Sequence, residues 1–383
     1  MKTVIAIDSF KGSLTSMEAG QAIAEGIRRA DKTAEPVVRP LADGGEGTVE
    51  ALVSGMNGSL RSLTVTGPLG EPVTASYGIV DTETADGEKL AVLEMSAAAG
   101  ITLVPPEKRN PLFTTTYGVG ELIRDALAQG CRRFLIGIGG SATNDGGIGM
   151  LEALGFGFLD AEGKPVRRGA AGLEELREIR TEGALEQLSG CEFRIACDVT
   201  NPLCGDQGCS AVYGPQKGAD PDMIKNMDAW LGRYAALAAQ TLGDADPEYP
   251  GTGAAGGLGF AFRSFLKGDL QSGIGIVLEE TRLEETLRTA DLVVTGEGRL
   301  DGQTAMGKAP VGVAALAKKY GKPVVAFAGS VTRDAIACHE KGIDAFFPIL
   351  RGICTLEEAM EPETARRNLA DTAEQVYRLW TAR

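Results

Sequence analysis

The residues that could do chemistry sit in a series of short loops. Asp8 and Lys11 follow one apolar run, and Asp43 and Glu46 lie in PLADGGEGT after a second. Asn144 and Asp145 belong to GIGGSATNDGGIG, from Gly137 to Gly149, and Asp198 and Asn201 to DVTNPLCG. Lys217 stands in YGPQKGAD, while Glu297, Arg299, Asp301 and then Lys308 occupy and follow GEGRLDGQT. Carboxylates that can hold Mg2+, lysines for phosphate oxygens and glycine-rich helix starts are the parts that phosphoryl transfer needs. Any one acid can instead cap a helix or face solvent. Their joint occurrence at successive strand ends is what argues for a shared site.

Other chemistries find less support. No GxxxxGK[ST] occurs, because the Gly-Lys pairs at Lys164, Lys308 and Lys322 are followed by Pro or Ala, which excludes a Walker-type ATPase. No G-x-S-x-G elbow is present, and the single histidine, His339, lies in a polar helical stretch without an acid-bearing glycine loop. Acid–base work therefore falls to carboxylates or lysines. Gly137, Gly139 and Ala142 fit a G-x-G-x-x-A pattern with Asp160 downstream, and this supplies a runner-up, a nicotinamide-dependent oxidoreductase. A sugar-acid-binding protein without turnover is a third reading.

Composition narrows the class. At 383 residues the chain suggests two domains, with 43% hydrophobic and 23% charged residues of the ordinary globular kind. A net charge of −14 argues against a nucleic-acid surface and requires local Lys or Arg wherever an anion binds. No run approaches the ~18 apolar residues of a membrane helix, and the N-terminus does not read as a signal peptide, so no membrane partner and a cytoplasmic location are expected. Seven cysteines without a CxxC pair read as reduced thiols.

The elements that must position these loops alternate. Val4 to Ile7 reads as a strand ending at Asp8, followed by an amphipathic helix from Ser16 to about Arg29 and a strand at Val37-Val38. From about Ser62 the texture becomes mixed: a hairpin around GPLGEP, a strand from Leu90 to Met95, a helix after Thr114-Thr115-Thr116, and a strand ending near Ile138. The glycine loop there contains six glycines in thirteen residues and precedes a helix whose start would offer N–H groups to an anion, or else be a plain turn capped by Asn144 or Asp145. Leu173 to Ile179 reads as a short helix, Phe193 to Cys197 as a strand delivering Asp198, and Pro221 to about Leu242 as a long helix. Leu292 to Thr295 reads as a strand ending in the Gly296 loop, and strands at Pro323 to Ala328 and Ala345 to Ile349 and a helix from Glu363 to Trp380 close the chain. This pattern predicts a discontinuous doubly wound parallel-sheet α/β domain, residues 1–60 plus 288–383, with a mixed α/β domain of residues 61–287 inserted.

DSFKGS, PLADGGEGT, GGSATNDGG, DVTNPLCG, GPQKGA, GAAGGLG and TGEGRLDGQT with GKAP, in this order, resemble the successive motifs of the bacterial glycerate kinase family, the type also met in glucarate and glyoxylate utilisation. The resemblance implies a flavodoxin-like domain with an inserted mixed-sheet domain, and ATP-dependent phosphorylation of D-glycerate, commonly at the 2-hydroxyl; 3-phosphoglycerate is the alternative product. It does not carry residue roles. From the residues themselves, Asp198 and Lys11 are the catalytic candidates, and Asp43, Glu297 and Asp301 the metal candidates. Gly139, Gly140, Ser141, Asn144, Gly146, Gly147, Lys217 and Lys308 are expected to hold the nucleotide or another anion, in a cleft between the domains. ATP and Mg2+ are the expected cofactors and D-glycerate the expected substrate; the oligomeric state stays open, with a homodimer allowed.

Overall fold

The computed structural model describes residues 1–42, 44, 45, 47–81 and 87–382. Asp43 and Glu46, both singled out above, lie outside the described residues. The chain divides into two compact units, the first formed by Met1–Asp43, Glu50–Asn57 and Ile274–Arg383, the second by Gly44–Val49 and Gly58–Gly273.

The first unit holds a five-stranded parallel sheet. From edge to edge it runs Ala345–Pro348, Val324–Val331, Leu292–Leu300, Lys2–Ile5 and Glu35–Val38. Counted along the chain that is the order 2-1-3-4-5 of the flavodoxin-like doubly wound fold, with the topological switch between the first and third strands. The strands are apolar on both faces because both are covered. Ile5, Leu292, Val294, Val325 and Phe327 pack under the helices Ser16–Ala30 and Pro362–Thr381, while Val4, Val293, Val324 and Ala326 are equally buried on the opposite face. The helix from Ser16 starts where the sequence requires, at a capping box in which Thr15 and Glu18 satisfy each other's backbone N–H.

One strand differs from expectation. The third strand does not end at Thr295 but continues to Leu300, pairing with its neighbour as far as Leu300 beside Val331. Gly296 and Gly298 read as loop residues in the sequence, yet a Cβ on Gly296 would fall 1.8 Å from the Phe327 carbonyl oxygen. Glycine is there because two backbones meet, and the glycine-rich segment is therefore strand.

The second unit contains a mixed six-stranded sheet in the order Asp269–Gln271, Glu192–Ala196, Cys131–Gly137, Lys89–Glu94, Pro72–Asp81 and Ser59–Thr66. The first four run parallel, and the last two form the antiparallel hairpin around GPLGEP. Tyr117–Ala128, Ile148–Ala153, Pro221–Leu242 and Ala254–Phe265 supply helices to its core, where Phe156, Phe158, Tyr234, Phe260 and Phe265 form edge-on and stacked pairs. Of the expected helix from Leu173 to Ile179 only Gly172–Glu175 is helical; the chain then extends as Glu178–Arg180 to pair with Gly157–Leu159. Among the described residues no helix is long and apolar enough to cross a membrane.

The two helices covering the first sheet cross so closely that a Cβ on Gly26 would stand 2.0 Å from the Ala370 carbonyl oxygen. Gly26→Ala is expected to lose roughly 1–3 kcal/mol through overpacking, despite alanine's better helix propensity. Denaturant unfolding followed by circular dichroism checks this, and an unchanged midpoint would show that the helices separate freely.

Candidate functional site

In the first unit the candidate residues gather at the carboxyl ends of the first and third strands. There the sheet's strand order reverses, and a doubly wound fold opens its crevice at that point. The chain leaves the first strand with the Asp8 N–H donating to the Gly296 carbonyl at 2.9 Å, while the Asp8 carboxylate accepts the Ser9 N–H at 2.7 Å. A tight turn, Phe10 to Leu14, then presents Lys11 to solvent. Its backbone lies over Gly298, whose Cβ position would be 3.6 Å from the Lys11 nitrogen.

Glu297 is almost fully buried on the third strand. Its Oε1 accepts the Thr304 hydroxyl at 2.6 Å and its Oε2 stands 4.0 Å from Lys308 Nζ. Lys308 is the N-cap residue of the helix Ala309–Lys318, so an ammonium and the positive end of a ten-residue helix coincide. Asp301 has a different task. Its Oδ1 accepts the N–H groups of Gln303 and Thr304, at 2.9 and 3.2 Å, and its Oδ2 lies 3.5 Å from Arg299 Nε. It shapes the turn that delivers Thr304 to Glu297. Among the described residues no three His, Cys, Asp or Glu side chains are gathered as a metal site.

In the second unit the equivalent places are the ends of Lys89–Glu94, Cys131–Gly137 and Glu192–Ala196. Asp198 is exposed two residues past its strand, and one of its carboxylate oxygens accepts the Gly273 N–H at 3.0 Å. Glu94, which sequence reasoning passed over as the tail of a strand, accepts the Val49 N–H at 3.0 Å in the first turn of the helix Thr48–Gly55. An acid closing an apolar run was the signal that found Asp198, and it could have found Glu94. Asn201 is taken up locally, accepting from the Tyr213 hydroxyl and donating to the Gln207 carbonyl at 2.7 and 2.8 Å.

The glycine loop is not the exposed cradle that its composition suggested. Only Gly139 and Gly140 are exposed; from Ser141 to Gly149 the chain is buried. Asp145 Oδ2 accepts the Thr116 N–H and hydroxyl, both at 2.9 Å, and Oδ1 the Gly147 N–H at 3.1 Å, while burial pushes its carboxyl upward from the usual carboxylate range. Asn144 donates to Ser210 Oγ at 2.9 Å. The following helix, Ile148–Ala153, has six residues and begins at a left-handed Gly147 without a side-chain cap. Gly146 is turned inward, its Cβ position 2.9 Å from the Tyr234 ring. The polar residues of this loop are thus interior groups, Asp145 held by Thr116 and Gly147 and Asn144 by Ser210, and the surface left exposed is Gly139-Gly140.

Lys217 is likewise interior, with 2% of its surface exposed. Its ammonium donates to Ser141 Oγ at 2.8 Å and to the Thr143 carbonyl at 2.6 Å, and burial lowers its pKa to about 8. It touches the glycine loop from inside and does not reach toward solvent. His339 stacks on Phe346, with ring centroids 4.8 Å apart, and its Nδ1 is 2.8 Å from the Ile343 carbonyl oxygen. Asp160 holds its own turn by accepting the N–H groups of Glu162 and Lys164, both at 2.9 Å, which removes the acid that a dinucleotide fingerprint would need. The seven cysteines are unpaired thiols.

This chain is similar to known proteins along nearly its whole length. The model of the glycerate kinase family matches residues 3–381. The glycerate 2-kinase of Escherichia coli (strain K12) is 50% identical over 377 residues, covering 97% of this chain and 98% of that one. The glycerate kinase of Bacillus subtilis (strain 168) is 48% identical over 378 residues, 98% of each chain. A crystal structure from Salmonella typhimurium LT2, of a protein whose designation as glycerate kinase 2 is provisional, is 48% identical with a TM-score of 0.91, covering 100% of this chain and 98% of that one. The chain belongs to the glycerate kinase family and is a kinase.

Proposed function

We propose that this protein transfers the γ-phosphoryl group of ATP to the 2-hydroxyl of D-glycerate, releasing ADP and 2-phospho-D-glycerate. The observation that carries this reading is the 50% identity, over 97% of the chain, to a protein named glycerate 2-kinase. The site chemistry supports it. Lys11, exposed, and Lys308, half-exposed, are cations at the switch point, as a phosphate or carboxylate requires in a protein whose net charge is −14. Lys308 also lies at the start of a helix long enough to contribute its dipole.

In this reading the glycerate hydroxyl oxygen bonds to the γ-phosphorus, the bond from that phosphorus to the ADP oxygen breaks, and the hydroxyl proton passes to Asp198. The held oxygen of Asp198, fixed by the Gly273 N–H, orients the carboxylate for that task. In the second unit Gly139-Gly140 offer backbone to an anion, and in the first Lys11 and Lys308 are cations suited to phosphate oxygens. Glu297 and Asp301 are hard oxygen donors of the kind Mg2+ takes one or two at a time, leaving its other positions to water and phosphate. When bound, the ion would neutralise charge on the phosphate oxygens. Asp301, already engaged with two backbone N–H groups, fits this role less well than Glu297.

Phosphorus NMR of the product formed from ATP and D-glycerate tests the reaction. The 2-phosphoglycerate signal is expected, and a 3-phosphoglycerate signal or no ATP-dependent product would overturn the assignment. Asp198→Asn keeps the side chain's shape but not its proton affinity, and turnover is expected to fall by roughly 10²-fold or more with the melting temperature unchanged. His339→Gln should be close to silent; the reverse outcome would transfer the base to the histidine. Lys11→Ala is expected to raise KM for an anionic substrate and to lower kcat, because a cation facing the transferring group acts in the transition state as well as in binding. Near-normal steady-state constants would remove Lys11 from the site.

A further inference from the structure

The least explained group in the second unit is Lys217, an ammonium buried behind the glycine loop. We propose that Lys217 is a positioning residue: by clamping Ser141 Oγ and the Thr143 carbonyl from inside, it fixes Gly139-Gly140 in the conformation that meets the anionic substrate. The proposal rests on the reading of Gly139-Gly140 as an anion contact.

Several observations converge on this. The loop is tied to the preceding segment by the Ile101 N–H donating to the Gly140 carbonyl at 2.8 Å and the Ala142 N–H to Ala99 at 2.9 Å, and the Thr114 hydroxyl donates to the Ala142 carbonyl at 2.8 Å. On the inside Lys217 is the side chain that grips Ser141 and Thr143 together. The motif YGPQKGAD serves this placement: Pro215–Lys217 is a single 3-10 turn, Gly218 follows in the left-handed region at φ 91°, and Asp220 caps the next helix by accepting the Met223 N–H. A turn this specific would not be needed to leave a lysine in solvent.

Burial without a contacting carboxylate is costly for an ammonium. The groups acting on it are Asp145 from the loop and Cys209 from Cys209–Tyr213. Burial pushes the Cys209 thiol up to about 11 and raises the Tyr234 hydroxyl, across Gly146, well above its usual value, so both are neutral near pH 8. Burial lowers Lys217 to about 8, while it raises the neighbouring Asp145 carboxyl. The protonated lysine donates to both partners, and losing a proton weakens the clamp.

The sign of the linked stability change separates positioning from folding. The folded-state value, about 8, lies below the ordinary 10.5 of a lysine, so between these values the unfolded chain holds more protons at this site and the penalty of burying the Lys217 charge is relieved as pH rises. Buried thiols such as Cys209, raised above their ordinary 9.0, oppose this only once the pH passes about 9. Between those values turnover should fall while this group's contribution to stability grows.

The test uses the full-length protein and Lys217→Met, an apolar residue of similar length. Without substrate, hydrogen exchange of the amides of residues 138–145 is expected to accelerate by about tenfold or more, while exchange in the helix Pro362–Thr381 stays as in the wild type. In phosphorylation assays kcat is expected to fall by roughly 10²-fold, the scale of a misplaced site, with a rise in KM for one substrate only. The wild-type kcat profile should decline above about pH 8, and Lys217→Met should lack that limb. Should Lys217→Met fold poorly, Ser141→Ala, which removes one acceptor, is expected to reproduce the exchange effect in part. Unchanged loop exchange in both variants, or wild-type kcat in Lys217→Met, overturns the proposal. If the wild type does not phosphorylate glycerate at all, the proposed function fails while the exchange experiment still decides the clamp.

Discussion

Parallel strands covered on both faces leave their carboxyl ends as the place where chain, polar groups and solvent can meet. Both units obey that constraint, and the rest of the molecule follows from it. In the first unit the reversal of strand order parts the chain after the first and third strands, and Asp8, Lys11, Glu297 and Lys308 stand around that parting. In the second, Glu94, Gly139-Gly140 and Asp198 occupy the ends of three neighbouring parallel strands. Helices elsewhere serve to cover the faces, which is why their sequences are apolar on one side and otherwise undistinguished.

The same constraint explains what could be read from the chain alone. Apolar runs such as Val4 to Ile7 and Val324 to Ala328 must be buried strands wherever they pack, and the alternation with amphipathic segments dictates a parallel sheet. The local fate of a glycine-rich segment is not dictated in that way. Gly296 and Gly298 belong to a strand because Phe327 and Lys11 come near them from remote parts of the sequence. Glu94 at the end of an apolar run and Asp145 within the glycine loop show the complementary blindness: an acid in either place can face the solvent or serve as an internal acceptor, and only the distant N–H groups of Val49 or Thr116 decide. Motif order identified the family, because it tests many loops at once, whereas the task of each single residue depended on which backbone it met.

Lys217 shows how far those two kinds of information can diverge. A lysine between glycines in a loop motif reads as a phosphate ligand, since flexible, exposed cations in glycine loops usually are. Its actual surroundings are Ser141, the Thr143 carbonyl, Asp145 and Cys209, none of them at the surface apart from a sliver of Ser141. Most of the residues that looked like an anion cradle are interior, and only Gly139 and Gly140 of that loop are exposed.

Stability alone gives a poor reason for such an arrangement. An apolar residue of the same volume at position 217 would avoid the desolvation of an ammonium, and replacing buried charges in this manner is often neutral or favourable. It would, however, leave the Thr143 carbonyl without its 2.6 Å donor in a loop whose Thr143 Oγ1 and Asn144 Oδ1 already have no hydrogen-bond partner among the described residues. The lysine therefore selects one loop conformation over others of similar packing at a cost in solvation, the same burial that lowers its pKa. A group kept despite such a penalty is more economically explained by the geometry it imposes on Gly139-Gly140 than by the energy it contributes to the core.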